Sequence, residues 1–202
     1  MLTPVTLRRL RAGHADALLA FEKDNREYFA RSVPDRGDAY FTADGFAARH
    51  AALLAEQEAG ICHFHVVLDA AGELVGRVNL LDVTDGTAEL GYRVGRRAAG
   101  RGVATAAVAE LCRTAARSYG LVALTARTRL DNPASMRVLA RNGFTLSGPL
   151  TVGGRPGVRH RRDLPDTGPA GGATRPRPRP EASGTDPVSG SPAAAFPDAD
   201  AT

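Results

Sequence analysis

The segment Gly95-Arg-Arg-Ala-Ala-Gly-Arg-Gly-Val-Ala-Thr105 places glycines and arginines directly ahead of a helix-compatible run. A glycine-rich turn that opens a helix leaves backbone N–H groups unsatisfied at the positive end of the helix dipole, which suits a pyrophosphate. Gly100 and Gly102 permit close backbone approach, and Arg96, Arg97 and Arg101 add positive charge. The Walker pattern fails because no Lys-Ser/Thr follows the glycines, and the dinucleotide fingerprint fails on its second glycine spacing. The same residues also suit a plain loop, with glycines for turning and arginines for solubility. A second group lies at Asp131-Asn-Pro-Ala-Ser135. Asn132 before Pro133 favours a helix start, and a side chain three residues on points the same way from the first turn. Both Asn132 and Ser135 also read as simple cap and first-turn residues. Cys62 and Cys112 have no CxxC or Cys/His ligand spacing, so neither a disulfide framework nor a zinc site is expected, and both read as small core residues.

Positioning these groups requires an ordered set of elements. Val5–Leu10 reads as a strand and Ala15–Asn25 as a helix with Ala17, Leu18 and Phe21 on one face. A second helix is expected over Ala43–Glu58, stopped by Gly60. Cys62–Leu68 and Leu74–Asp82 form a hairpin, and Asp85-Gly86 turns the chain into Ala88–Val94. A long helix over Val103–Ser118 is closed by Gly120. A strand at Leu121–Thr128, a helix at Pro133–Asn142 and two strands, Phe144–Leu150 and Val158–Leu164, complete the pattern. Three consecutive strands followed by a single helical crossover predict an α+β domain. Its mixed central sheet has about seven strands, flanked by about four helices. The crossover makes the strand at 88–94 parallel to the one at 121–128.

Ala88-Glu-Leu-Gly-Tyr-Arg-Val94, Gly100-Arg-Gly-Val-Ala-Thr105, Asp131-Asn-Pro-Ala-Ser-Met-Arg-Val-Leu139 and Asn142-Gly-Phe144 occur in that order. Together they resemble the GNAT superfamily of acetyl-CoA-dependent N-acetyltransferases. The fit is to the branch of ribosomal-protein N-terminal acetyltransferases, the RimJ and RimL type, and Asn25-Arg-Glu-Tyr-Phe29 is similar to that branch as well. The resemblance spans residues 3–164. The family's Q/R-x-x-G-x-G/A pattern fits in two registers, one from Arg97 through Gly100 and Gly102, the other from Ala99 through Gly102 and Ala104. The second is preferred, and it puts Ala99 where Gln or Arg is usual.

The resemblance implies acetyl-CoA as co-substrate. Backbone N–H groups from Gly100, Arg101, Gly102, Val103, Ala104 and Thr105 would cradle its pyrophosphate. The strand at 88–94 would splay from its parallel neighbour, and the backbone of Tyr92, Arg93 and Val94 would pair with pantetheine, leaving the Tyr92 side chain as packing. Asn132 would bond the pantetheine and Ser135 would reach the coenzyme sulfur. Many relatives carry a tyrosine acid four residues beyond, where Leu139 stands here. Glu89, acting through water, is the expected base, with Glu27 and Asn79 as alternates lining the acceptor site. His63 and His65 are expected to pack, and His160 to lie on a solvated final strand.

The chain has 202 residues and a formal net charge of +4. Residues 165–202 carry 8 of the 13 prolines, with three arginines against five acids, and read as a disordered tail. The catalytic domain is therefore assigned to residues 1–164, with +6 of the charge. No apolar run of membrane-spanning length occurs, and the start lacks the pattern of a secretory signal, so a cytoplasmic protein is expected. The charge is too weak to imply direct nucleic-acid binding. A phosphotransferase is excluded by the missing P-loop lysine and metal carboxylates. The expected partner is an amine acceptor, a ribosomal or other protein N-terminus or a small amine, bound by a monomer or homodimer. The alternative is a non-catalytic acyl-CoA-binding or ribosome-docking module.

Overall fold

The computed structural model describes residues 4–165; the expected tail lies outside the described residues, save Pro165. Seven strands form one sheet. They are β1 (Thr6–Arg9), β2 (His63–Leu68), β3 (Leu74–Thr84), β4 (Thr87–Val94), β5 (Ala123–Arg129), β6 (Thr145–Val152) and β7 (Arg155–Asp163), in the order β1-β2-β3-β4-β5-β7-β6. All neighbours pair antiparallel except β4 and β5, which are parallel, as the helical crossover between them requires.

The period-2 alternation in β4 divides the molecule. Ala88, Leu90, Tyr92 and Val94 turn to one face, where they pack with Val108, Leu111, Ala115 and Leu139. These come from α4 (Val103–Tyr119) and α5 (Pro133–Arg141). Glu89 and Arg93 turn to the other face by the same alternation. On that side Phe64 and Val66 of β2 pack with Leu18 and Phe21 of α1 (Ala15–Asp24), Phe29 of α2 (Arg26–Phe29) and Phe46 and Leu53 of α3 (Ala43–Glu58). Helices thus cover both faces of the sheet around β2–β4.

Two elements depart from the sequence expectation. The first helix stops at Asp24, and the next turn, α2, is separate. Asn25 sits at φ −109°, ψ 5° between them, and its Nδ2 donates to the Phe21 carbonyl at 2.8 Å. A short amide that competes with the backbone ladder ends a helix in this way. Five α-helices result among the described residues. In addition, β3 continues past Asp82, which takes φ 50°, to Thr84, with a register shift against β4 between Leu81 and Thr84.

Candidate active site

The ladder between β4 and β5 covers Thr87–Glu89 against Ala123–Thr125 and then ends. β4 runs on to Val94 and stays paired with β3 as far as Gly76↔Val94, while β5 runs on to Arg129 against β7. The two parallel strands therefore open into a wedge, one side of which is the main chain of Leu90–Val94. Tyr92, Arg93 and Val94 all stand on this side.

The glycine turn caps the wedge. A 3-10 turn over Arg96–Ala98 follows β4, then Gly100 and Gly102 adopt left-handed φ of 73° and 81°, and α4 starts at Val103. These angles strain any residue with a Cβ. Gly102 is the N-cap, and its carbonyl accepts from the Ala106 N–H at 3.0 Å. The N–H groups of Val103, Ala104 and Thr105 therefore precede the first intrahelical bond, as at any helix start. Arg101 is exposed, its Nη1 directed to the Arg97 carbonyl at 3.5 Å. The turn is fixed from the opposite face by Asn25, whose Oδ1 accepts the Arg96 N–H at 2.8 Å. A Cβ at Gly95 would lie 2.8 Å from the Phe21 ring, so the chain can pass there only without a side chain.

At the other side of the wedge, Asn132 caps α5: its Oδ1 accepts the Ser135 N–H at 3.0 Å, and Pro133 follows at the first helical position. Ser135 is fully buried, not a solvated first-turn residue. Its Oγ lies 3.0 Å from the Tyr92 hydroxyl, also buried. The expectation that the Tyr92 side chain only packs is thereby corrected, because its hydroxyl engages Ser135. The sequence holds no local sign of this pair, whose members are 43 positions apart and meet only through packing of α5 on β4. Asn142 donates to the Thr105 carbonyl at 3.3 Å, tying α5 to the first turn of α4. Leu139 is fully buried in the core.

The opposite face of β4 bears charge. Glu89 is held by Arg127 of β5 at 2.8 Å. Further along, Glu22 of α1 is buried and meets Arg77 at 3.1 Å, Arg93 at 3.2 Å and Arg36 at 3.9 Å. Burial alone would push the Glu22 carboxyl up, but Arg93, Arg36 and Arg77 together outweigh it and hold the group below the usual carboxylate range. Burial lowers Arg93 to about 10, opposed by Glu22. The Arg93 guanidinium also lies 4.8 Å from the Phe29 ring centroid, and Arg36 stacks 4.5 Å over Tyr40 and donates to its hydroxyl. These groups border a cleft between β4 and the segment that follows α1, lined by Glu22, Arg26, Phe29, Val33, Arg36 and Arg93 among others.

Of the alternates, Asn79 is buried beside Arg77 on β3, opposite Gly91, and its Oδ1 has no hydrogen-bond partner among the described residues. Glu27 is exposed on α2 and does not line the cleft. His63 stacks on Tyr119 with centroids 3.6 Å apart, and His65 Nε2 lies 2.9 Å from the Tyr119 hydroxyl, both packed against α4. His160 is not solvated: it is 3% exposed and bonds Thr128 Oγ1 at 2.8 Å, because its register opposite Ala126 turns it toward the α4–α5 side. Among the described residues no His/Cys/Asp/Glu group is arranged to hold a metal ion, and no helix is long and apolar enough to cross a membrane.

This geometry has counterparts. The Probable N-acetyltransferase YjcK of Bacillus subtilis (strain 168) is 29% identical over 150 residues, 71% of this chain and 82% of that protein. The structure of Mycobacterium smegmatis RimJ in complex with CoA-disulfide superposes with a TM-score of 0.72 at 26% identity, covering 79% of this chain and 81% of that one. The ribosomal-protein-S5-alanine acetyltransferase of Vibrio fischeri has the same fold, with a TM-score of 0.75 at 21% identity over 82% of this chain and 96% of that one. The family model of the acetyltransferase (GNAT) domain matches residues 5–145, well over half of the chain. The wedge between β4 and β5, the glycine turn at its end and this match lead to one conclusion: the chain belongs to the GNAT family of N-acetyltransferases.

Proposed function

We propose that the protein transfers an acetyl group from acetyl-CoA to a primary amine by direct attack within a ternary complex at the β4–β5 wedge. The observation that carries this reading is the buried Tyr92–Ser135 pair, which stands beside the open β4 main chain and below the glycine turn. Acetyl-CoA supplies an activated acyl group on a thioester, whose sulfur departs as a thiolate that needs a proton.

The chain's own residues divide that work. The N–H groups from Gly100 to Thr105 bind the pyrophosphate at the helix N-terminus, with Arg101 adding charge. The main chain of Tyr92, Arg93 and Val94 aligns the pantetheine as a further strand would be aligned, and Asn132 at the head of α5 bonds it too. A backbone N–H near Tyr92 donates to the carbonyl oxygen as negative charge develops there. Ser135 donates to the sulfur, oriented by the Asn132 cap and the Tyr92 hydroxyl. On the opposite face Glu89 takes the amine proton through water, while Arg127 holds its carboxylate in place. Asn79, buried on the same face of the sheet as Glu89, is the alternate polar group on the acceptor side. Neither cysteine takes part: Cys62 and Cys112 are buried, and burial raises both thiols.

The test is thiol release from acetyl-CoA by the full chain, with peptide N-termini and small amines assayed side by side and the acetylated product identified by mass. Acetyl-CoA-dependent acetylation of at least one amine is expected. Acetyl-CoA binding with no thiol release across the whole panel would overturn the catalytic reading.

A further inference from the structure

The cleft beside Arg93 has a chemistry of its own. Among the described residues, the ion pairs of Arg36, Arg77 and Arg93 converge on Glu22. Three guanidinium groups thus converge on the Glu22 carboxylate at the cleft floor, and Asp35 lines the same cleft with its charge acting on Arg36. Arg77 and Glu22 are 2% exposed at the side chain, whereas Arg36 and Arg93 each keep 12% and line the cleft itself. Like charges packed this closely repel, as Arg36 and Arg77 do against Arg93, and a further carboxylate at the cleft mouth offsets that repulsion.

The positive character continues outward. Thr125, Arg127 and Arg129 of β5 alternate onto the face that bears Glu89 and Arg93, and Arg161 and Arg159 of β7 stand opposite Thr125 and Arg127. Among the described residues Arg127, Arg129, Arg159 and Arg161 of this face are half-buried or exposed, whereas Arg77 of β3 is buried under α1. Arg129 joins the two regions, its Nη1 donating to the Ser32 carbonyl at the cleft rim at 2.8 Å. Carboxylates also stand here, each engaged: Asp35 and Asp38 by Arg26, Glu89 by Arg127, Asp131 by Arg129 and Arg155, Asp163 by Arg161. Arg159 is exposed and outside any ion pair among the described residues.

We propose that the acceptor is a peptide amino terminus with acidic side chains in its first residues, one carboxylate received by Arg36 and Arg93 and the following residues laid along the arginine face of β5 and β7. This rests on the acetyl-transfer reading and narrows its substrate class. The extended face favours a peptide over a small amine, since a small amine would end inside the cleft.

Two hexapeptides of one sequence, with Glu or Gln at the second and third positions, test the inference with the full chain, alongside free glutamate. Thiol release gives kcat/KM, and calorimetry on the CoA-saturated protein gives binding independently of turnover. The Glu peptide is expected to exceed the Gln peptide by at least about tenfold, with the ratio shrinking as salt is raised. Arg36→Gln and Arg159→Ala are each expected to lower that ratio, and the surface variant Arg159→Ala reports even where Arg36→Gln fails to fold. Equal or reversed preference would overturn the proposal while leaving acetyl transfer standing. Free glutamate turned over as well as the acidic peptide would overturn its peptide part. Tighter binding of the Glu peptide with no turnover of any peptide would support the acidic preference and overturn the catalytic reading instead.

Discussion

At the scale of single residues, the site turns on a contact between a strand hydroxyl and a helix hydroxyl. Ser135 is placed by its own backbone, capped by Asn132, and by Tyr92 at 3.0 Å. Ser135→Ala removes the hydroxyl proposed to donate to the sulfur, and kcat is expected to fall about tenfold to a hundredfold with the KM for acetyl-CoA little changed. Tyr92→Phe keeps the ring in the core and removes only the partner of Ser135. A smaller fall in kcat is expected, with about 1 kcal/mol lost in stability, read by steady-state kinetics and urea unfolding of the same preparations. If Tyr92→Phe left kcat at the level of the parent, the hydroxyl would have no orienting role. Asn132 and Ser135 were legible in the sequence because cap chemistry is local: an Asn before a Pro marks a helix start wherever it occurs. The Tyr92 hydroxyl was not, because its partner is fixed by how α5 lies on the sheet.

At the scale of elements, a wedge and a turn hold the site, and both follow from where pairing stops. The succession of strands along the chain and the parallel β4–β5 pair were readable from periodicity and from the single crossover, whereas the place of β7 between β5 and β6 was not. The break of the first helix was not, since Asn25 in a helical pattern is ambiguous until its amide is seen to bond Phe21 and Arg96. That amide is what clamps the start of the glycine turn. Asn25→Ala leaves the Arg96 N–H without its acceptor, and a loss of about 1–3 kcal/mol in stability together with a raised KM for acetyl-CoA is expected. Gly102 makes a different demand, since a Cβ at φ 81° costs about 1–2 kcal/mol. Gly102→Asp adds a negative charge that favours the helix dipole but repels a pyrophosphate. Coenzyme A affinity is therefore expected to fall by more than stability does, and unchanged affinity by calorimetry would remove the turn from the binding site.

At the scale of the whole molecule, the sequence located a positive domain but not the direction its charges face. Counting treats Arg77 and Arg93 as surface charge, whereas the alternation of β3 and β4 turns them inward onto Glu22. The same alternation turns His65 onto α4, where it is 4% exposed and bonds Tyr119. Burial lowers its pKa to about 4, with the neighbouring His63 on β2 and Arg9 on β1 acting in the same direction and a backbone bond at Val78 of β3 opposing them. The ordinary value of 6.5 applies in the unfolded chain. Between those values the unfolded state binds a proton that the folded state refuses, so stability is full above 6.5 and declines as pH falls toward 4. For this one group the decline between pH 7.5 and 5 amounts to about 2 kcal/mol. His14, His63 and His160 are lowered by burial as well and steepen the fall in the parent protein. Glu22, held below the carboxylate range, contributes only at lower pH. His65→Gln keeps a hydrogen-bonding side chain and removes the titration, so the comparison isolates one residue. Urea unfolding at pH 7.5 and pH 5 is expected to show the variant losing about 2 kcal/mol less than the parent over that interval. Equal losses would mean that His65 is protonated within the fold at pH 5, and that the contact between β2 and the end of α4 opens to admit the charge.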